Sequence, residues 1–119
     1  MIKAFKIYTG LDGHTHIVHG SVAEDFLSHA QSIRFKETAA YAFYDWHPAP
    51  SVQYVISLTG TLEFTTFLGE TFILRPGEVL LAMDTTGSGH KWTLVDDQPW
   101  RRAYVSFEAD REMLFVENC

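Results

Sequence analysis

The 119-residue chain predicts an all-β fold, a sandwich or barrel of short strands, and three observations carry that expectation. Apolar and polar residues alternate in short runs from Lys3 onward, Gly, Pro and Asp punctuate the runs, and the helical period is nearly absent. Many short strands separated by closely spaced turns are the pattern of sandwiches and barrels.

Taken in order, strands are expected at residues 5–9, 14–19, 33–38, 41–47, 53–59, 62–67, 71–74, 79–83, 90–95 and 101–107. The sequence Phe67-Leu-Gly-Glu-Thr71 predicts a tight hairpin, because Gly69 takes positive φ at no steric cost. Arg75-Pro-Gly-Glu78 predicts a second turn, with Pro presetting φ and Gly following it. Between Val22 and Ala30 the apolar positions Val22, Phe26, Leu27 and Ala30 fit either two helical turns or a covering loop. The tail from Arg111 to Cys119 carries Met113, Leu114, Phe115 and Val116, so it is expected to pack on the domain or on a second copy.

The bulk composition narrows the class. One domain, residues 1–119, is the expectation at this length. A hydrophobic content of 46% with 20% charged residues is that of a globular rather than a disordered chain. The longest apolar run, Ala39 to Tyr44, is six residues, and the first residues lack the apolar stretch of a signal peptide. A cytoplasmic protein that neither spans nor binds a membrane is expected. Cys119 is the only cysteine, which excludes an intrachain disulfide and a cysteine-based zinc cluster. The net charge of −6, with no basic run beyond Arg101 and Arg102, argues against nucleic-acid binding.

Two segments carry a family resemblance. The first is DWHPAPSVQYVISLTG, from Asp45 to Gly60. It resembles the first cupin motif: His-x-His, three or four residues, Glu, six residues, Gly. Counting back from Gly60 places Gln53 at the glutamate position, Ala49 at the second histidine and His47 at the first. Gly77 through His90 resembles the second motif, with a slightly longer loop. Together, DWHPAPSVQYVISLTGTLEF and PGEVLLAMDTTGSGHKW are similar to a group of small single-domain bacterial cupins. The resemblance implies a jelly-roll sandwich or barrel. It says little about chemistry, because that fold hosts isomerases, dioxygenases, decarboxylases, sugar binders and storage proteins.

The resemblance also implies where a metal would sit. Metal-dependent cupins hold a divalent ion with three histidines and a glutamate. In this chain His47, His90 and Gln53 stand in ligand positions, whereas Ala49 has no donor. Two imidazoles and a neutral amide leave a 2+ ion without a compensating charge, so any Fe, Mn, Ni or Zn would be held weakly. Side chains two apart on a strand share a face, roughly 6.6 Å along it. Asp45 is therefore expected to point with His47 and to supply a carboxylate, and Tyr41 to share the same parity. Trp92 is expected to face inward with His90, and Asp84, at the start of the loop Asp84-Thr-Thr-Gly87, is a candidate pocket residue. The alternative keeps His90 as a neutral, hydrogen-bonded pocket residue partnered by Gln53, in a cavity that binds a small polar or aromatic molecule without metal.

Other constellations carry less. HTHIVH, positions 14–19, places His14 and His16 on one strand face and His19 on the other, near Asp12, and reads mainly as strand and turn. Ser88 in Gly87-Ser-Gly-His90 has no visible acid to complete a nucleophilic triad. The expectation is thus a small-molecule-binding cupin with a weak or degenerate divalent-metal site, with catalysis left open. The alternative is a metal-free binding or sensor domain. Its aromatic surface and terminal segments point to a homodimer.

Overall fold

The computed structural model describes residues 1–108 and 113–118. Eleven strands follow one another: β1 (Ile2–Thr9), β2 (Thr15–Val22), β3 (Ser32–Thr38), β4 (Phe43–His47), β5 (Gln53–Thr59), β6 (Leu62–Thr66), β7 (Thr71–Leu74), β8 (Val79–Met83), β9 (His90–Leu94), β10 (Trp100–Ser106) and β11 (Phe115–Glu117). They form a seven-stranded sheet of order β11-β2-β1-β8-β5-β10-β3 and a four-stranded sheet of order β4-β9-β6-β7. The two pack as an all-β jelly-roll sandwich. Every neighbouring pair is antiparallel except β1 with β8. No helix among the described residues is long and apolar enough to cross a membrane.

Alternation places the core. Along β6, Leu62, Phe64 and Thr66 are buried while Glu63 points out, and along β9 His90, Trp92 and Leu94 are buried while Lys91 and Thr93 are exposed. These inward faces meet Phe5 and Ile7 of β1, Val55 of β5, Leu80 and Ala82 of β8 and Trp100 of β10 in one continuous cluster. Its centre is aromatic: Phe72 stacks between Phe5 and Phe64 at ring separations of 4.5 and 4.9 Å, and Trp92 meets Trp100 edge-on at 5.0 Å. A second cluster, Tyr54, Leu81 and Phe107, covers the opposite face of the large sheet.

The expected turns form as read. Gly69 and Gly77 take φ of 90° and 85°, and Glu78 N–H donates to the Arg75 carbonyl at 3.0 Å. Val22 ends β2, and residues 23–30 form a loop with no helix. The tail packs on the domain: β11 pairs with β2, and Leu114 N–H donates to the Tyr54 hydroxyl at 2.8 Å. Arg111 and Cys119 lie outside the described residues.

Two departures from the sequence expectation shape the site. β4 begins at Phe43 rather than Tyr41, because Tyr41 takes φ of 64° and leaves the extended region. β3, at the edge of the large sheet, runs with its polarity reversed. Ile33 and Phe35 are exposed on the outer face, while Arg34, Lys36 and Thr38 face the space between the sheets. Charge on an edge strand also blunts pairing with a second sheet edge.

Candidate functional site

Between the sheets lies a cavity of about 290 Å³, near the lower end of the range for small-molecule pockets. Tyr44 and His47 of β4 and His90 and Trp92 of β9 line it from the four-stranded sheet; Gln53 of β5, Arg34 and Lys36 of β3 and Trp100, Arg102 and Tyr104 of β10 line it from the seven-stranded sheet. A groove of about 310 Å³ on the outer face of the large sheet, beside Phe26, Leu27 and Tyr54, is more apolar and brings no comparable set of polar groups together.

The structure gathers four of the residues singled out in the sequence, His47, Gln53, His90 and Trp92, around this one cavity. Ala49 lines it too and is buried, at the position where the motif expects a ligating histidine. Tyr41 and Asp45 are not brought in. Tyr41 is 71% exposed beyond the end of β4. Asp45 fails for a different reason: pairing of β4 with β9 slips between Tyr44 and His47, so that three steps along β4 match two along β9. The bulge inverts the side-chain parity on which the Asp45–His47 pairing rested. Tyr44, not Asp45, joins His47, with ring centroids 3.9 Å apart, and the Asp45 carboxylate accepts from the Trp46 N–H at 2.8 Å.

The bulge also fixes the His47 ring. The Asp45 carbonyl lies 2.7 Å from His47 Nδ1, and a carbonyl only accepts, so Nδ1 carries the proton and Nε2 is left bare. His90 is held similarly. Its Nδ1 lies 2.6 Å from Asp84 Oδ2, which also accepts from the Thr15 hydroxyl at 2.8 Å. Asp84 is 0% exposed and sits one step behind the cavity, so it orients His90 without lining the pocket. The two imidazoles stand 4.6 Å apart, tilted by 59°, neither Nε2 having a hydrogen-bond partner among the described residues. A ring anchored through Nδ1 with an open Nε2 is the arrangement of a general base.

Close approach of two loops makes this juxtaposition possible. Gly89 takes φ of 70°, and a Cβ there would lie 2.2 Å from the His47 carbonyl oxygen. Gly89→Ala should therefore push β4 from β9, separate the two imidazoles and cost about 1–3 kcal/mol in unfolding free energy. Histidine NMR shifts together with urea denaturation check this; unchanged His47 shifts would contradict it.

Burial lowers the His47 pKa below its ordinary 6.5, with nearby His90 adding to the shift and the Asp45 carbonyl and Asp84 opposing it. The sign of the pH dependence follows. The unfolded chain binds a proton at His47 before the folded one does, so the contribution to stability is intact above pH 6.5 and is lost as pH falls toward the folded value. Urea midpoints taken at falling pH should decline less steeply for His47→Gln than for the wild type.

Several functional candidates were missed in the sequence. Arg34, Lys36, Arg102 and Tyr104 line the cavity, and no Asp or Glu does. Arg102 is 3% exposed. Its guanidinium lies 3.7 Å from the Trp100 ring centroid and donates to the Tyr104 hydroxyl, the Thr38 hydroxyl and the Trp100 carbonyl, all neutral partners. Burial pulls its pKa below the ordinary guanidinium value, although guanidinium remains charged at any physiological pH. The available signal was parity: Arg34, Lys36 and Thr38 alternate along β3, in register with Tyr104, Arg102 and Trp100 of β10.

The histidines of 14–19 do not converge. His16 pairs with the Asp12 carboxylate at 2.9 Å, while His14 contacts the Ser88 hydroxyl at 3.0 Å and stacks on Phe67. Ser88 thus meets an imidazole, but no acid side chain bonds to that ring. Among the described residues, no three His, Cys, Asp or Glu side chains cluster as a metal site. Comparison with known protein families matches no family model to the chain, and no curated protein matches it significantly.

Proposed function

We propose that this chain is a small cupin-type domain that binds a small organic molecule between its sheets and needs no resident metal. The observation that carries the reading is the cavity itself: aromatic walls from Phe64, Trp92 and Trp100, with the bare Nε2 atoms of His47 and His90 as polar anchors. His90, oriented by Asp84, offers a proton acceptor, so the same pocket supports acid–base chemistry on a bound molecule.

A divalent ion on His47, His90 and Gln53 is the second reading, favoured by the two adjacent bare imidazole nitrogens. The donor set fits a dication poorly. It offers no carboxylate, Ala49 takes the place of a further donor, and Arg34, Lys36 and Arg102 line the same cavity. Elemental analysis separates the two. Metal-free binding predicts substoichiometric Fe, Mn, Ni and Zn after reconstitution and a Tm unaffected by chelator. Stoichiometric metal, lost in both His47→Ala and His90→Ala, would establish the second reading instead. A second copy of the chain fits the exposed outer face where Phe35 and Leu58 line a shallow surface, and light scattering on the purified protein reads the oligomeric state.

A further inference from the structure

We infer that the cavity is built for a small organic carboxylate, whose anionic group is held by Arg102 with Lys36 and Arg34, and whose body lies against Trp92 and Trp100 toward His47 and His90. The inference rests on the proposed binding role of this cavity and names its ligand class.

Three observations carry it. The first is a buried cation without a counter-ion. Arg102 is 3% exposed and no ion pair joins it to any described residue. A buried charge is costly unless paired, and the neutral acceptors around Arg102 engage Nε and Nη1 while leaving Nη2 without a partner. The guanidinium is also held rigidly, stacked on Trp100 and fixed at two nitrogens, so little ordering cost remains when it meets an anion.

The second observation is the sign of the cavity. The chain carries a net charge of −6, yet its cavity is lined by three cations and no acid. The nearest acid on β3, Glu37, lies on the other face of the strand and pairs with Arg101 at 2.7 Å. Arg34 rests on the Tyr104 ring at 4.6 Å and, like Lys36, makes no ion pair among the described residues. The third is the reversed polarity of β3. This orientation turns Arg34 and Lys36 toward the cavity and leaves Ile33 and Phe35 on the outer face.

A volume of about 290 Å³ matches a small anion. The planar guanidinium fork matches a carboxylate through two parallel hydrogen bonds, and the aromatic walls suit a flat, unsaturated body. At the far end, His47 and His90 would reach the remainder of the ligand.

Thermal shifts on the full chain with paired probes test this: benzoate against benzamide, sorbate against sorbamide, and phenyl phosphate as the alternative anion. The carboxylates should raise Tm by roughly 3–6 °C once each probe is at least tenfold above its Kd, with the amides producing little. Arg102→Gln should weaken benzoate binding about 10- to 100-fold. Because Arg102 is buried, the exposed substitutions Lys36→Gln and Arg34→Gln keep the inference testable if Arg102→Gln fails to fold. Each should leave the ligand-free Tm unchanged and weaken the carboxylate, more so at low salt than at high.

Equal shifts by acids and amides would overturn the carboxylate assignment. So would a carboxylate shift that survives both exposed substitutions, or a larger shift from phenyl phosphate. If amides and acids bind alike and binding is lost in Trp92→Ala, the cavity binds neutral molecules and only the ligand class fails. If no probe binds at all, the binding role and the carboxylate inference fall together.

Discussion

Replacing Trp100 by alanine should lower the unfolding free energy by about 3–5 kcal/mol, a large part of the roughly 5–15 kcal/mol that holds a domain of this size together. Trp100 is 2% exposed and meets Trp92 at 5.0 Å and Phe64 at 6.5 Å, so truncation opens a void at the junction of the two sheets. It also removes the donor to the Ser57 hydroxyl, 3.2 Å away in the same buried layer, and the ring on which Arg102 rests. The effect should therefore exceed a simple large-to-small change, and carboxylate binding should go with it. Trp100→Phe separates the contributions: it keeps an aromatic wall but deserts Ser57, at a cost of about 1–2 kcal/mol. Urea denaturation measures both. A loss below about 1 kcal/mol for Trp100→Ala would mean that the surrounding rings collapse into the void, against the rigidity inferred for the cavity wall.

How far the sequence foretells this molecule depends on how local each signal is. Strands β5, β7 and β8 begin and end at the residues that alternation and turn chemistry indicate, because Gly60, Gly69 and Pro76-Gly77 punctuate them within the chain itself. Motif spacing brings Gln53, His90 and Trp92 to one cavity because those positions sit on regular ladders, where counting by twos holds, and His47 joins them as the cross-strand partner of His90 just past the bulge. It fails at Asp45 because a bulge adds one residue to β4, and a bulge leaves no mark in the apolar pattern. It fails at Tyr41 because nothing in the sequence AAYAFY announces a left-handed residue. The cationic side of the cavity was hidden for a further reason. Inward and outward faces are normally assigned by hydrophobicity, and β3 obeys the opposite rule, so IRFKET reads with its faces exchanged. Thr15 escaped notice among the more conspicuous histidines of HTHIVH, although it is the member of that segment that reaches the site, through Asp84.

Asp84 is where the fold and the candidate chemistry depend on the same atoms. Asp84→Ala should cost about 2–5 kcal/mol, since two buried donors, the Thr15 hydroxyl and His90 Nδ1–H, lose their shared acceptor. Asp84→Asn should cost less than about 2 kcal/mol, because an amide oxygen in the position of Oδ2 accepts from both groups. Its new NH2 would occupy the place of Oδ1, which is buried without a partner, so the asparagine variant exchanges one unsatisfied atom for another. The two variants thus differ in a readout that stability alone does not give. With asparagine, His90 still donates from Nδ1 and keeps Nε2 bare toward the cavity. With alanine, nothing selects the tautomer, and nitrogen NMR should register Nδ1–H and Nε2–H forms together. If the alanine variant retains a single Nδ1–H form, His90 is oriented by its packing against His47 and Phe64 rather than by the carboxylate. If it does not, one buried acid both ties β2 to the loop ahead of β9 and sets which nitrogen the cavity presents to whatever enters it.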